Sequence, residues 1–283
     1  MTEIRKPVAR NFYLGDCAAQ IREFLKDFEP PGGIPQKLTA AVLPHAGWSY
    51  SGRIAARTLK TLFLHSDPER CIVFGSDHTG QNRHCLYAEG AWETPLGNLV
   101  IDAELGSMIF DRASELLFPD TSAHRYEHSI EVLCPMLKYF RPDIRIVPII
   151  AGADDSAVLL GRRIGELLSE LRSPVVLLAS SDLTHYGADY GFAPEGTGPD
   201  AERWMRQNDR RMIDRLLRAD AEGIVPEAFA CRNACGPGAL AALLAAVRES
   251  GIEMGYLVGY TSSYDQEPDT WFTSGVGYAG IVY

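Results

Sequence analysis

The sequence predicts an α/β protein with a largely parallel sheet that helices cover on both faces. Short runs rich in Val, Ile and Leu alternate along the chain with longer segments whose apolar residues recur at helical spacing. The strand-like runs are almost continuously apolar, which is typical of parallel strands buried on both faces. The length of 283 residues fits one large α/β domain or two small ones.

The predicted elements alternate from the start of the chain. In the first half, extended structure is predicted where short apolar runs are bounded by turn residues, over 37–43, over 70–75 and, with an internal turn at 95–97, over 85–102. Apolar residues at helical spacing predict helices over 52–64, 103–117 and 129–140, and Pro135 is expected to kink or delimit the last of these. In the second half, the same criteria predict strands over 144–151, 174–180, 254–263 and 274–283 and helices over 155–172, 200–220 and 236–251.

Composition excludes several functional classes. The net charge is −10 and no cluster of Lys or Arg is present, so we expect no nucleic-acid partner and no binding to anionic membranes. The first residues form no apolar leader, and no stretch approaches the ~18 uninterrupted apolar residues of a membrane span. Six cysteines form no dense framework, which is typical of a reduced, cytoplasmic protein.

Polar side chains follow three of the predicted strands. His45 follows the first strand, His78 follows the second, and Asp182 and His185 follow the strand over 174–180. Ligands of parallel sheets bind at the carboxyl ends of strands, and neutral imidazole is a common ligand for zinc, iron and copper. We therefore predict that His45 and His78 share one cation. The alternative for each is a loop histidine bonded to backbone.

Further candidates lie in two other segments. Cys235 begins a long apolar helix, where the helix terminus lowers a thiol pKa and favours a metal-binding thiolate, although a packed core cysteine is equally consistent. The spacing of His124, His128 and Glu131 places them on one helix face if that helix begins early, with Glu127 beside them; a solvated helix start is the alternative.

Several aromatic residues lie near these motifs, and known signatures are missing. Trp48, Tyr50, Tyr186 and Tyr190 either wall an apolar pocket or pack in the core. The sequence lacks the glycine-rich nucleotide motifs, the GxSxG elbow and the HExxH zinc-protease motif. These absences leave a metal pocket as the main functional prediction.

Six motifs occur in the order seen in the Memo family, whose prokaryotic members are called AmmeMemoRadiSam system protein B. They are LPHAGWSYSG, GSDHTG, ETPLGNLVID, EHSIEVLCPMLKYF, SSDLTHYG and CGPGALAALL. The resemblance covers essentially the whole chain. It implies one α/β/α domain over residues 1–283 with a largely parallel or mixed central sheet, similar in fold to the class III extradiol, ring-cleaving dioxygenases.

The resemblance also implies a site. Its metal ligands would be His45, His78 and Cys235, holding Fe(II) or copper, with zinc as a further candidate. Asp182 and His185 would lie beside the metal, with His185 as acid/base and Asp182 orienting it. The EHSIE segment, which contains Glu127, His128 and Glu131, would line the same pocket.

Two differences, one from the usual family motif and one from the dioxygenase ligand set, affect which family properties can be expected of this chain. Ser76 and Asp77 stand where the family often has Pro and Asn, so Asp77 is either a partner of His78 or a change in pocket charge. A thiolate stands where the dioxygenases have a carboxylate, so ring cleavage does not carry over safely.

These observations support two main functional hypotheses. The first is a metal-dependent redox protein or dioxygenase-like enzyme. The second is a non-catalytic metal-binding or scaffold protein whose pocket receives a peptide or small ligand, and functional association with partners of the AmmeMemoRadiSam system accompanies either. A structural protein whose histidines merely cap strands is the third.

Overall fold

A computed structural model describes residues 3–13, 15–171 and 173–283. The strands within these residues are β1 (Ile4–Arg5), β2 (Ala40–Leu43), β3 (Arg70–Gly75), β4 (His84–Leu86), β5 (Ala91–Trp92), β6 (Leu99–Ile101), β7 (Leu117–Pro119), β8 (Arg145–Ile150), β9 (Val175–Ser180), β10 (His185–Tyr186), β11 (Tyr256–Ser262) and β12 (Gly275–Val282). The α-helices within them are α1 (Cys17–Phe24), α2 (Arg53–Leu64), α3 (Ala103–Ala113), α4 (Cys134–Phe140), α5 (Ser156–Glu170), α6 (Pro199–Leu217), α7 (Ala221–Cys231), α8 (Pro237–Glu249) and α9 (Ser263–Gln266).

The central strands of the sheet are parallel, and its margins are mixed. The main path runs β1-β5-β6-β8-β3-β9-β2-β12-β10, in which β6, β8, β3, β9 and β2 are parallel neighbours. β12 joins β2 antiparallel and also pairs with β10 and β11. The α/β fold class with a largely parallel or mixed sheet is therefore confirmed.

Two hydrophobic clusters lie on opposite faces of this sheet. Along β2, Ala40 and Val42 join a cluster built with α3, α5, α6, α7 and α8, whereas Ala41 and Leu43 join a second cluster built with α1, α2 and α4. Because successive side chains of a strand point to opposite faces, this alternation defines three layers, helices–sheet–helices. Continuous apolar strands are required for this arrangement because both faces are covered.

The register of the central strands aligns the three predicted site loops. β9 lies between β3 and β2, Leu43 at the end of β2 pairs with Ser180 at the end of β9, and Phe74 of β3 pairs with Ala179. The loops after these three strands therefore leave the sheet side by side. They carry His45, His78 and Asp182.

The main predicted helices and strands are observed, but α1, α9 and the short strands β1, β7 and β10 were not predicted. α7 was not predicted, since Gly223 and Pro226 interrupt its helical pattern. The helix predicted over 129–140 begins as a 3₁₀ turn at Glu131 and becomes α4 only at Cys134, with Pro135 in its first turn. None of the helices in the described parts of the chain is both long enough and apolar enough to cross a membrane.

Close packing of α5 against α8 fixes the helix that begins after Cys235. A Cβ atom at Gly161 of α5 would collide with the carbonyl oxygen of Ala242, and one at Gly165 would lie 2.6 Å from the carbonyl oxygen of Ala246. The two helices approach this closely because both contribute small residues at the interface. The position of α8 therefore depends on the absence of side chains at these sites.

We expect Gly161→Ala to lower the free energy of unfolding by about 1–3 kcal/mol, because the added methyl overpacks this interface. Gly106→Ala is the matched control: it also lies within a helix, α3, but its nearest neighbour would be 3.7 Å away. That control should be neutral or stabilising by up to about 1 kcal/mol, as helix propensity dictates. Urea denaturation followed by circular dichroism measures both, and equal stability of the two variants would contradict this account of the interface.

Candidate metal centre

His45 presents one ring nitrogen to the centre of the site. It is buried, and its Nδ1 lies 2.9 Å from the hydroxyl oxygen of Ser180. Ser180 donates its own hydroxyl proton to the carbonyl of Ser129, so it accepts from His45, whose Nδ1 carries the proton. The Nε2 lone pair then lies 3.4 Å from the sulfur of Cys235. Burial lowers the pKa of His45, and the charge of Cys235 beside it acts in the opposite direction.

His78 is oriented in the same way by a carboxylate. Its Nδ1 donates to Glu127 Oε1 at 3.1 Å, and its backbone N–H donates to Glu127 Oε2 at 3.0 Å. Nε2 is therefore the nitrogen left for a ligand, in an arrangement common behind metal-binding histidines. Burial opposes the charged form, but Cys235 and Glu127, through hydrogen bonds and their charges, raise the pKa of His78 to about 10. A metal bound at Nε2 would therefore displace a proton from this nitrogen.

Cys235 lies in the same centre as a stabilised thiolate. Burial alone would raise the pKa of this thiol, but the charge of His45 and hydrogen bonds with His45 and His78 lower it to about 6. The backbone N–H of Asp182 also donates to its sulfur at 3.2 Å. A thiolate at neutral pH is a ligand for soft and borderline metals.

His128 is an additional candidate ligand. The ring nitrogens of His45, His78 and His128 lie within 4.8 Å of one another, and the rings of His78 and His128 stack at 4.8 Å. Phe12 packs against the other side of His128 at 4.9 Å. Sequence reasoning assigned His128 to the pocket wall but not to the ligands, because only the loop geometry brings it over His45.

The donor set suits a transition metal. Two imidazoles have their outer nitrogens occupied by hydrogen-bond partners, and their inner nitrogens face a low-pKa thiol. The structure thus brings the predicted ligands His45, His78 and Cys235 together at the carboxyl edge of the sheet. A cavity of about 610 Å³ opens from this point and is also lined by Asp182 and His185.

The sequence model of one family, described as Memo-like protein, matches residues 7–282. The chain belongs to the Memo family. Curated relatives named MEMO1 family protein include one from Pyrococcus abyssi, 38% identical, and one from Thermococcus onnurineus, 36% identical; each alignment covers 99% of both chains. Among solved structures, an uncharacterized protein from Escherichia coli K12 is similar with a TM-score of 0.49 and 14% identity, over 87% of this chain and 99% of that chain.

In this Memo protein, Asp182 and His185 are neighbours with separate partners. Asp182 Oδ1 accepts the backbone N–H of His45 at 2.7 Å, and burial raises the pKa of its carboxyl. His185 Nδ1 lies 3.1 Å from the carbonyl of Leu183, to which it donates, so its Nε2 is unprotonated when the ring is neutral. Asp182, which was expected to orient His185, forms no hydrogen bond with its ring. The ring is hydrogen-bonded to the Leu183 carbonyl instead.

The loop that carries His185 is held from α6, which sequence reasoning missed. Asp209 Oδ1 accepts the backbone N–H of Thr184 at 2.9 Å, and Asn208 donates to the Thr184 hydroxyl at 3.1 Å. Burial raises the pKa of Asp209 to about 6. The available signal was a pair of polar residues on the buried face of an amphipathic helix.

Three predicted pocket residues lie away from the cavity. Trp48 donates its indole N–H to the carbonyl of Val132 and packs in the core, and Tyr186 donates its hydroxyl to the carbonyl of Gly196 within a separate aromatic cluster. Glu131 is buried and accepts hydrogen bonds from the N-terminal segment instead. Tyr50 and Tyr190, by contrast, do line the cavity.

Asp77 and His124, two other residues considered from the sequence, lie outside the ligand set. Asp77 accepts hydrogen bonds from the backbone of Thr79, Gly80 and Asn82, so it shapes its own loop rather than contacting the His78 ring. His124 lies outside the centre, where its Nε2 donates to a backbone carbonyl at 3.0 Å and burial lowers its pKa to about 4. The helix begins too late for His124 and Glu131 to share a face with His128.

We expect Glu127→Gln to weaken metal binding by about 10–100-fold, because the amide holds the His78 ring less firmly than the carboxylate does. Asp77→Asn is the comparison, since that carboxylate touches the same loop but not the ring. Its effect on affinity should be clearly smaller. Titration of both proteins with Fe(II) under anaerobic conditions measures this, and equal affinities of Glu127→Gln and wild type would contradict the role of Glu127.

Proposed function

We propose that this protein binds Fe(II) or copper through His45, His78 and Cys235 and acts as a dioxygenase-like oxidoreductase. The observation that carries the proposal is the convergence of two pre-oriented imidazole nitrogens on one low-pKa thiol. Such a mixed nitrogen and sulfur set favours copper or iron over hard cations. The bound metal would supply the electron transfer and Lewis acidity that side chains lack.

The residues around the proposed ligands support proton transfer as well. His185 lines the cavity, and its Nδ1 is occupied by a backbone carbonyl, so Nε2 is available to accept a proton from a bound substrate. Asp182 instead positions two proposed ligands: its carboxylate accepts the backbone N–H of His45, and its own backbone N–H donates to Cys235. Phe12 packs on His128 and lines the same cavity.

A metal-binding protein without turnover is the second candidate. The observation that favours it is the hydrogen bonding of Asp182, which is committed to the loop of His45 and leaves His185 without a carboxylate partner. In this case the cavity would hold a small molecule or a peptide side chain beside the metal. The two candidates share the ligand set and differ in the role of His185.

We expect Cys235→Ala and His45→Ala to lose more than about 100-fold in affinity for Fe(II) or Cu(I), because each removes a proposed ligand. His128→Ala tests the alternative three-histidine set, which suits zinc. A loss below about 10-fold in that variant assigns His128 to the wall of the cavity. Anaerobic metal titration, with circular dichroism to show that each variant folds, measures the three; wild-type affinity in either of the first two would overturn the proposal.

We expect His185→Ala to keep its metal and to lose about 10²–10⁴-fold in turnover, the usual contribution of a positioned acid or base. The measurement is oxygen consumption by the iron form with a panel of catechols and phenols. His65→Ala is the matched control, since His65 directly follows α2 and does not line the cavity. No turnover by the wild type across the panel would favour the non-catalytic candidate, and a metal-free His185→Ala protein would contradict the ligand assignment.

A further inference from the structure

The outer part of the metal cavity has an aromatic wall. Tyr264 and Trp271, from α9 and the segment before β12, line it together with Tyr50 and Tyr190. Trp271 is 54% exposed and Tyr190 42% exposed, although side chains of this size usually bury their rings. Both exposed rings therefore border one cavity that leads to the candidate metal centre.

Trp271 is held in place despite its exposure. Its indole N–H donates to the hydroxyl of Thr197 at 2.9 Å. Its ring lies against Gly198, where a Cβ atom would be only 2.5 Å from the ring and where φ is +97°, a conformation that favours glycine. The ring is thus seated by a specific backbone conformation rather than left loose on the surface.

Two carboxylates lie beside these rings. Glu267 and Asp269 line the cavity, and Glu267 Oε2 accepts the hydroxyl proton of Tyr50 at 3.0 Å. Tyr264 donates its hydroxyl to the backbone carbonyl of Asp269 at 2.7 Å, which fixes the loop that bears the second carboxylate. Acidic groups and aromatic faces therefore border the same space.

No Lys or Arg is among the described residues that line this cavity. The nearby cations are already paired: Arg206 forms ion pairs with Glu202 and Asp265, and Arg232 donates to the carbonyls of Tyr190 and Gly191. The outer part of the cavity therefore carries two carboxylates and, among the described residues that line it, no Lys or Arg to pair with them. An anionic ligand would meet repulsion there.

From this arrangement we infer that the cavity takes an organic cation, whose ammonium group lies at the mouth among Trp271, Glu267 and Asp269 while its other end reaches the metal centre. Aromatic faces attract ammonium groups, and neighbouring carboxylates add to that attraction. A volume of about 610 Å³ accommodates a small molecule. That the inner end of the ligand reaches the metal rests on the proposed function. That its outer end is a cation rests only on the residues at the mouth.

Three phenols of similar size and different charge test this inference: tyramine, a cation; 4-ethylphenol, neutral; and 3-(4-hydroxyphenyl)propionate, an anion. We expect tyramine to bind about 10-fold more tightly than 4-ethylphenol in isothermal titration, and the anion to bind most weakly. The preference should shrink at high salt, since Glu267 and Asp269 are exposed to solvent. Nα-acetyl-lysine amide, whose side-chain ammonium stays charged, is compared with neutral Nα-acetyl-norleucine amide, and tighter binding of the lysine compound would extend the preference to a peptide side chain.

The double variant Glu267→Gln with Asp269→Asn should abolish the preference for tyramine and leave the affinity for 4-ethylphenol within about twofold. Glu249→Gln with Glu253→Gln is the matched control, because it removes the same net charge from residues that do not line the cavity. That control should keep the preference of the wild type. Retention of the preference in the Glu267/Asp269 variant would overturn the inference.

The same experiment separates this inference from the proposed function. Each titration is made on the metal-free and the Fe(II)-loaded protein, and metal affinity is measured independently. If the protein binds no metal but still prefers the cation, the cation site at the mouth is supported and the proposed function is contradicted. If the anion binds as tightly as the cation or more tightly, or if no probe binds at millimolar concentration, the cation site at the mouth is contradicted even if metal binding is confirmed.

Discussion

The site depends on the contact between the start of α8 and the ends of β3 and β9. Gly236 lies against the hydroxyl of Ser76 and the carbonyl of Ser180, so closely that a Cβ atom there would collide with the hydroxyl and lie 2.7 Å from the carbonyl oxygen. Its N–H donates to the hydroxyl of Ser181 at 3.0 Å. Cys235 is thereby held beside His45 at the edge of the sheet, although 190 residues of chain separate the two.

Backbone donors, together with the histidines, offset the cost of burying charge in this centre. A thiolate and a carboxylate, Cys235 and Asp182, lie near each other in a poorly hydrated place, which costs free energy for each. The N–H of Asp182 bonds to the sulfur and the N–H of His45 bonds to the carboxylate. Each residue therefore uses its backbone to stabilise a neighbour's side chain, so the loops after β2 and β9 are mutually dependent.

The strand ends were predictable from the sequence, whereas the contacts between loops were not. His45 and His78 follow apolar runs that only buried strands explain, so their convergence follows from parallel alignment. The stacking of His128 on His78 depends on a loop without regular structure, for which periodicity gives no signal. Trp48 and Tyr186 show the same limit, because the sequence around an aromatic residue near a motif does not reveal whether its ring faces a cavity or the core. The partner of His185 was missed since a backbone carbonyl carries no sequence signature.

The attachment of the N-terminal segment has a consequence for how the centre forms. Glu131 accepts from Arg5, from the backbone of Val8 and Ala9, and from the Tyr13 hydroxyl, and this segment carries the Phe12 that packs on His128. The Arg5 contact joins residues 126 positions apart. Contacts of such sequence separation form late, because a long loop must close before they contribute. The wall of the cavity at Phe12 is therefore complete only when this long loop has closed.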